Sequence, residues 1–205
     1  YEAVIAAHTG HVNCHETGAI EATGHKVCTA HSPDGKVTPA MVESVLAIHA
    51  DGGEHMVSPR LVYISDTTEI GTVYTKAELI ALRHCCDEHG LLLFLDGARL
   101  GSALTSPEND LTLPELAALT DVFTIGGTKN GTLFGEAVIM TVPCAHFRWH
   151  MKQRGGMLAK GRLLGVQFLT ILKDNLYFDI ARHANEMAFR LRDGFLALGY
   201  QFPVP

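Results

Sequence analysis

Leu91 to Leu95, LLLFL, is five apolar residues in a row with no polar alternation. A short continuous run of this kind predicts a strand buried on both faces, as in a parallel sheet covered by helices. Asp96-Gly97-Ala98-Arg99 follows it directly. The same arrangement recurs along the chain. Ala3 to Ala7 leads into His8-Thr9-Gly10-His11, Arg60 to Ser65 leads into a loop carrying Glu69, and Asp121 to Ile125 leads into Gly126-Gly127-Thr128-Lys129. Lys26 to Ala30 is a further predicted strand, and Ala137 to Met140 a further apolar run.

Helical segments separate these runs. Thr38 before Pro39 is a helix start, with Val42, Val45, Leu46 and His49 at helical spacing. Thr75 with Glu78, and Thr112 with Glu115, are capping boxes; the first opens a helix through Leu79, Leu82 and Cys86 to a stop at Gly90. Asn13 with Glu16 predicts a third box, opening a helix over Asn13 to Thr23 that Gly24 ends. Beyond residue 142 the pattern turns helical, over Met157 to Leu172 and Asp179 to Leu198. Strands alternating with helices predict an α/β fold with a mostly parallel sheet flanked by helices.

Composition narrows the function classes. The 205 residues are 47% hydrophobic and 19% charged, enough apolar material for one globular domain with a sizeable core. A net charge of −6 gives no basic footprint, so no nucleic-acid partner is expected. No apolar run reaches the length of a membrane span. Five cysteines, an odd number without zinc-type spacing, point to a reducing compartment, hence the cytoplasm. Cys85 and Cys86 on one helix read as core packing. His8, His11, His15, His25 and His31 straddle a strand, a helix and a turn without tight ligand spacing, so no metal site is expected.

In sheets of this kind, ligands bind beyond the carboxyl ends of the strands. His11, Glu69, Asp96 and Lys129 all fall there. In FTIGGTKNG, the two glycines permit close backbone approach, and the apolar flanks predict a buried or half-buried lysine amine, nucleophilic toward a carbonyl. An aspartate and a lysine on neighbouring strand ends suit pyridoxal 5'-phosphate: the amine holds the aldehyde carbon and the carboxylate keeps the ring nitrogen protonated. Each residue also has a plainer reading. Asp96 caps the following helix with Arg99 as its ion-pair partner, Glu69 is a solvated loop residue, and Lys129 sits on a glycine-rich turn.

On HVNCHETGAIEATGHKV, VYISDTTEIGTVYT, LFLDGARLG, FTIGGTKNGTLFGEA and KQRGGMLAKGRLLG, the chain resembles the threonine aldolase, or β-eliminating lyase, group of fold-type I pyridoxal-phosphate enzymes. The resemblance implies an aspartate-aminotransferase-like large domain over residues 1–205, without the family's N-terminal segment and C-terminal small domain. It implies that Lys129 carries the cofactor, Asp96 meets the pyridine nitrogen, His11 stacks on the ring and Arg99 lies near the substrate carboxylate. The implied activity is cleavage of a β-hydroxy-α-amino acid, a small amino-acid substrate such as threonine, to glycine and an aldehyde. β-Elimination, transamination and a non-catalytic role are the alternatives. It also implies a homo-oligomer, a dimer or tetramer, in which Arg154 or Lys160 reaches a phosphate in a neighbouring subunit. Glu69 stands where many members carry histidine, which leaves the base to this glutamate or to a water that it orients.

Overall fold

The computed structural model describes residues 1–202. Six strands form one sheet: β1 (Glu2–Ala7), β2 (Lys26–Ala30), β3 (Ser58–Ser65), β4 (Leu92–Asp96), β5 (Val122–Gly126) and β6 (Glu136–Met140). Their spatial order is β2-β1-β3-β4-β5-β6. The first five run parallel, and β6 pairs antiparallel with β5 at the edge. Ile5, Val62, Leu93 and Leu95 are wholly buried along the middle of the sheet. β4 departs from the expectation of burial on both faces: Leu91, Leu93 and Leu95 are buried, whereas Leu92, on the opposite face, is 46% exposed.

The helices are α1 (His11–Cys14), α2 (Pro39–Gly52), α3 (Lys76–Glu88), α4 (Leu100–Leu104), α5 (Leu113–Leu119), α6 (Phe147–Gln153), α7 (Arg162–Leu172) and α8 (Leu176–Ala197). Thr38 caps α2 by accepting from the Met41 N–H, with Pro39 at the first position. Both expected capping boxes, at Thr75/Glu78 and Thr112/Glu115, are complete in each direction. Each satisfies amides that the helix itself cannot pair.

The third capping box does not form. α1 is a single turn starting at His11, and the remainder is bends and a short 3-10 turn over Glu21–Thr23. The Glu16 carboxylate goes to His11 Nδ1 at 2.6 Å, and Asn13 donates to the His8 carbonyl at 2.8 Å. Thr17 and Gly18, at φ 54° and 69°, turn the chain out of the helical path. Gly24 does close the segment, in the left-handed region.

Two features set up the carboxyl edge of the sheet. The chain leaves β1 toward β2 and leaves β3 toward β4, so the connections diverge and open a crevice between β1 and β3. Next to it, the turn after β4 presses on β5. A Cβ on Gly97 would lie 1.9 Å from the Thr124 carbonyl oxygen, and one on Gly126 would lie 2.4 Å from the Ala98 carbonyl oxygen. Gly126 N–H donates to Gly97 O at 2.9 Å, and Gly97 N–H to Thr124 Oγ1 at 2.9 Å.

The loop after β3 begins at Asp66, which is 1% exposed and accepts from the Tyr74 N–H at 3.3 Å. Burial raises its carboxyl to about 7, against the opposing pull of that hydrogen bond and of Lys36. An unfolded aspartate loses its proton near about pH 4. Between these values the folded state binds more protons than the unfolded, so stability falls as pH rises, by on the order of 1 kcal/mol per pH unit. Asp66→Asn keeps an acceptor for Tyr74 and carries no charge. Denaturant midpoints of the parent should therefore decline relative to this variant from about pH 4 to pH 7. Parallel pH profiles for the two proteins would show that Asp66 is not the titrating group.

Candidate active site

The crevice and the glycine contact meet around one cavity of about 330 Å³, lined by His11, Tyr63, Glu69, Asp96, Arg99 and Lys129 among others. All five residues singled out from the sequence therefore share a single site. Each strand supplies its residue from the carboxyl end: His11 follows β1, Glu69 follows β3, Asp96 ends β4 and Lys129 follows β5.

Asp96 is fixed on both carboxylate oxygens. Oδ1 accepts from the Ala98 N–H at 2.9 Å, and Oδ2 accepts a short hydrogen bond from the Tyr63 hydroxyl. The Tyr63 phenol is shifted strongly upward, first by burial and then by the Asp96 charge, so it stays a donor. The Tyr63 ring stacks on Phe94 at 5.3 Å. The helix-cap reading of Asp96 is not what the chain does. α4 has Arg99 as its N-cap residue with no side-chain cap bond, and Asp96 serves the tight turn and the cavity. Among the described residues Arg99 forms no ion pair.

Glu69 is half-buried, which corrects the solvated-loop reading. Its Oε1 accepts from the main-chain N–H of His11 at 3.0 Å and from the Ser65 hydroxyl at 2.8 Å. The bond to His11 spans the crevice between β1 and β3. His11 itself is oriented by Glu16 through Nδ1.

Lys129 corrects the sequence reading in the other direction. It is exposed, not buried, because the chain leaves β5 in a tight turn that carries it into the cavity mouth; Asn130 N–H closes that turn on Gly127 O at 2.8 Å. The turn is anchored from beneath: Asn130 is buried and donates through Nδ2 to the Tyr177 carbonyl at 2.8 Å. Arg154 and Lys160 are exposed and lie outside the cavity lining.

Sequence reasoning missed Tyr63, Ser65, Thr124 and Glu136, all of which line the cavity. Partial burial and then the Asp96 charge raise the Glu136 carboxyl, while Lys129 draws it down. The alternation of β3 carried a usable signal: Tyr63 and Ser65 share a parity, so they face one side of the sheet. The register then sets Ser65 beside Asp96.

Comparison with known proteins agrees with this architecture. A family model described as β-eliminating lyase matches residues 1–205. Low specificity L-threonine aldolases from a Pseudomonas species and from Pseudomonas aeruginosa are 38% and 35% identical to this chain, each over 92% of it. The chain spans 55% of the length of each. A solved Leishmania major threonine aldolase superposes with a TM-score of 0.95 at 56% identity, covering 100% of this chain and 60% of that one. The aspartate aminotransferase of Thermus thermophilus, at 16% identity, shares the fold with a TM-score of 0.72, over 98% of this chain and 52% of its own. Matched from end to end, the chain belongs to the β-eliminating lyase family, whose members depend on pyridoxal phosphate.

Proposed function

We propose that residues 1–205 are the catalytic large domain of an aldolase that cleaves a β-hydroxy-α-amino acid, threonine foremost, to glycine and an aldehyde. The observation that carries this reading is the convergence of Lys129, Asp96, His11 and Arg99 on one cavity. An amine, a fixed carboxylate, an imidazole and a guanidinium are the donor set that pyridoxal phosphate and an amino acid require, so the residues present fit the cofactor. The relatives named as threonine aldolases point to the same substrate class.

When bound, the cofactor supplies an electron sink for the pair left on Cα. Lys129 is the residue that would hold it, through Nζ at the aldehyde carbon. Asp96, fixed in place by Ala98 N–H and Tyr63, would face the ring nitrogen. His11, its orientation set by Glu16, is the residue that would stack on the ring. Arg99 binds the substrate carboxylate and so fixes which bond at Cα is aligned for cleavage. Glu69 takes the β-hydroxyl proton, directly or through a water. Its Oε1 is already engaged by two donors, so the transfer falls to the other oxygen. As that proton leaves, the Cα–Cβ bond would break and the aldehyde depart, and the proton that Glu69 took, returned to Cα directly or through water, gives glycine. The family description favours β-elimination from a substrate with a leaving group at Cβ as the second reading.

The assembled protein is a homo-oligomer in this reading. The exposed cations and glycines of KQRGGMLAK suit close approach to an anion in a neighbouring subunit. Light scattering should give a dimer or tetramer for the full-length protein, and an active monomer would contradict the reading. Borohydride reduction of the cofactor-loaded protein followed by peptide mapping should place the label on Lys129. Label on Lys26 or Lys152 would remove Lys129 from its role. Glu69→Gln should lower threonine cleavage about a hundred- to ten-thousandfold with cofactor absorbance intact, and Glu69→His should restore part of it. Cleavage by Glu69→Gln at the parental rate would exclude Glu69 as the base. Loss of threonine cleavage with retained turnover of a β-elimination substrate would favour the lyase.

A further inference from the structure

A second group of metal-ligating side chains lies outside the cavity. Glu43 on α2, Cys85 on α3 and His89 just past the end of α3 present ligand atoms that all fall within 4.8 Å of one another. None of them lines the Lys129 cavity. The grouping follows from helix geometry. The His89 N–H donates to the Cys85 carbonyl at 3.2 Å, a bond that continues the α-helical register to His89. The two side chains therefore stand one turn apart on the same face. Glu43 faces them from the neighbouring helix.

We propose that Glu43, Cys85 and His89 form a binding site for a thiophilic divalent cation of the zinc class. A thiolate and an imidazole select such a cation over magnesium or calcium, which prefer all-oxygen surroundings. One carboxylate, one imidazole and one thiolate make a three-ligand set with a fourth tetrahedral position open to water or to an outside ligand. The layering suits this. Cys85 is buried beneath, while Glu43 and His89 are exposed above it, so the site is closed by protein on one side and open on the other. His89 also borders a surface cleft of about 400 Å³, which provides an entry path. The thiol has no strong competing partner; its contact with the Pro39 carbonyl is 3.9 Å long. On binding, Cys85 releases its proton to solvent and its sulfur lone pair forms the bond to the cation. The cation then links α2 to α3, two helices otherwise joined through side-chain packing.

Cobalt(II) is the probe, because its visible ligand-field bands report tetrahedral coordination at wavelengths beyond cofactor absorption. Titration of the full-length, cofactor-loaded protein should give those bands with one equivalent bound, and zinc should displace the cobalt. The exposed pair of substitutions Glu43→Gln and His89→Gln leaves the core intact, so a folding failure does not obscure the outcome. Each alone should weaken cobalt binding about tenfold or more, and the double variant should lose the bands. Cys85→Ser should shift the spectrum of any cobalt that remains bound. Absence of tetrahedral bands in the parent overturns the proposal. Bands unchanged in the double variant also overturn it and place the cation elsewhere, for instance among the histidines near His11. Neither result bears on the aldolase reading, whose residues are separate.

Discussion

The site depends on a backbone-to-backbone contact between the turn after β4 and the end of β5. Gly97 sits where any Cβ would meet the Thr124 carbonyl, and Gly126 where any Cβ would meet that of Ala98. Because no side chain intervenes, hydrogen bonds close directly between the two segments. The turn that holds the Asp96 carboxylate and the turn that carries Lys129 are thereby locked at one spacing. Under the proposed function these two turns would grip opposite ends of one planar ring, and the two glycines fix the distance between them.

Much of the fold was legible because its signals are local. The continuous apolar strands, the threonine–glutamate capping boxes and the Thr38-Pro39 start each depend on residues within a few positions of one another. The Asn13–Glu16 pair looked equally good and failed because Asn13 already lies inside α1, its N–H bonded to the Gly10 carbonyl at 2.9 Å. Glu16 sits close enough to His11 to reach its ring, and that ring is held at the mouth of the crevice by the position of β1. The Glu16 carboxylate pairs with that imidazole instead. Side-chain competition of this kind leaves no mark on periodicity.

The candidate site was readable to the level of which strand ends converge, since parallel topology alone delivers His11, Glu69, Asp96 and Lys129 to one edge. What was not readable is how each is held. Tyr63 reaches Asp96 across a distance of 33 positions in the chain, and the pairing depends on the register between β3 and β4. The exposure of Lys129 has a similar origin. Apolar flanks describe the strand before it, but the turn from Gly127 to Asn130 decides where the side chain goes.

Glu69 is bound to His11 through the main-chain N–H and not through the imidazole. Every residue except proline carries that donor. The ring at position 11 can therefore be exchanged without loosening residue 69, and residue 69 can be exchanged without disturbing the ring, which answers to Glu16. The two positions are separable under mutation. In evolutionary terms, a lineage with this architecture is free to retune position 69 while leaving position 11 untouched, one substitution at a time.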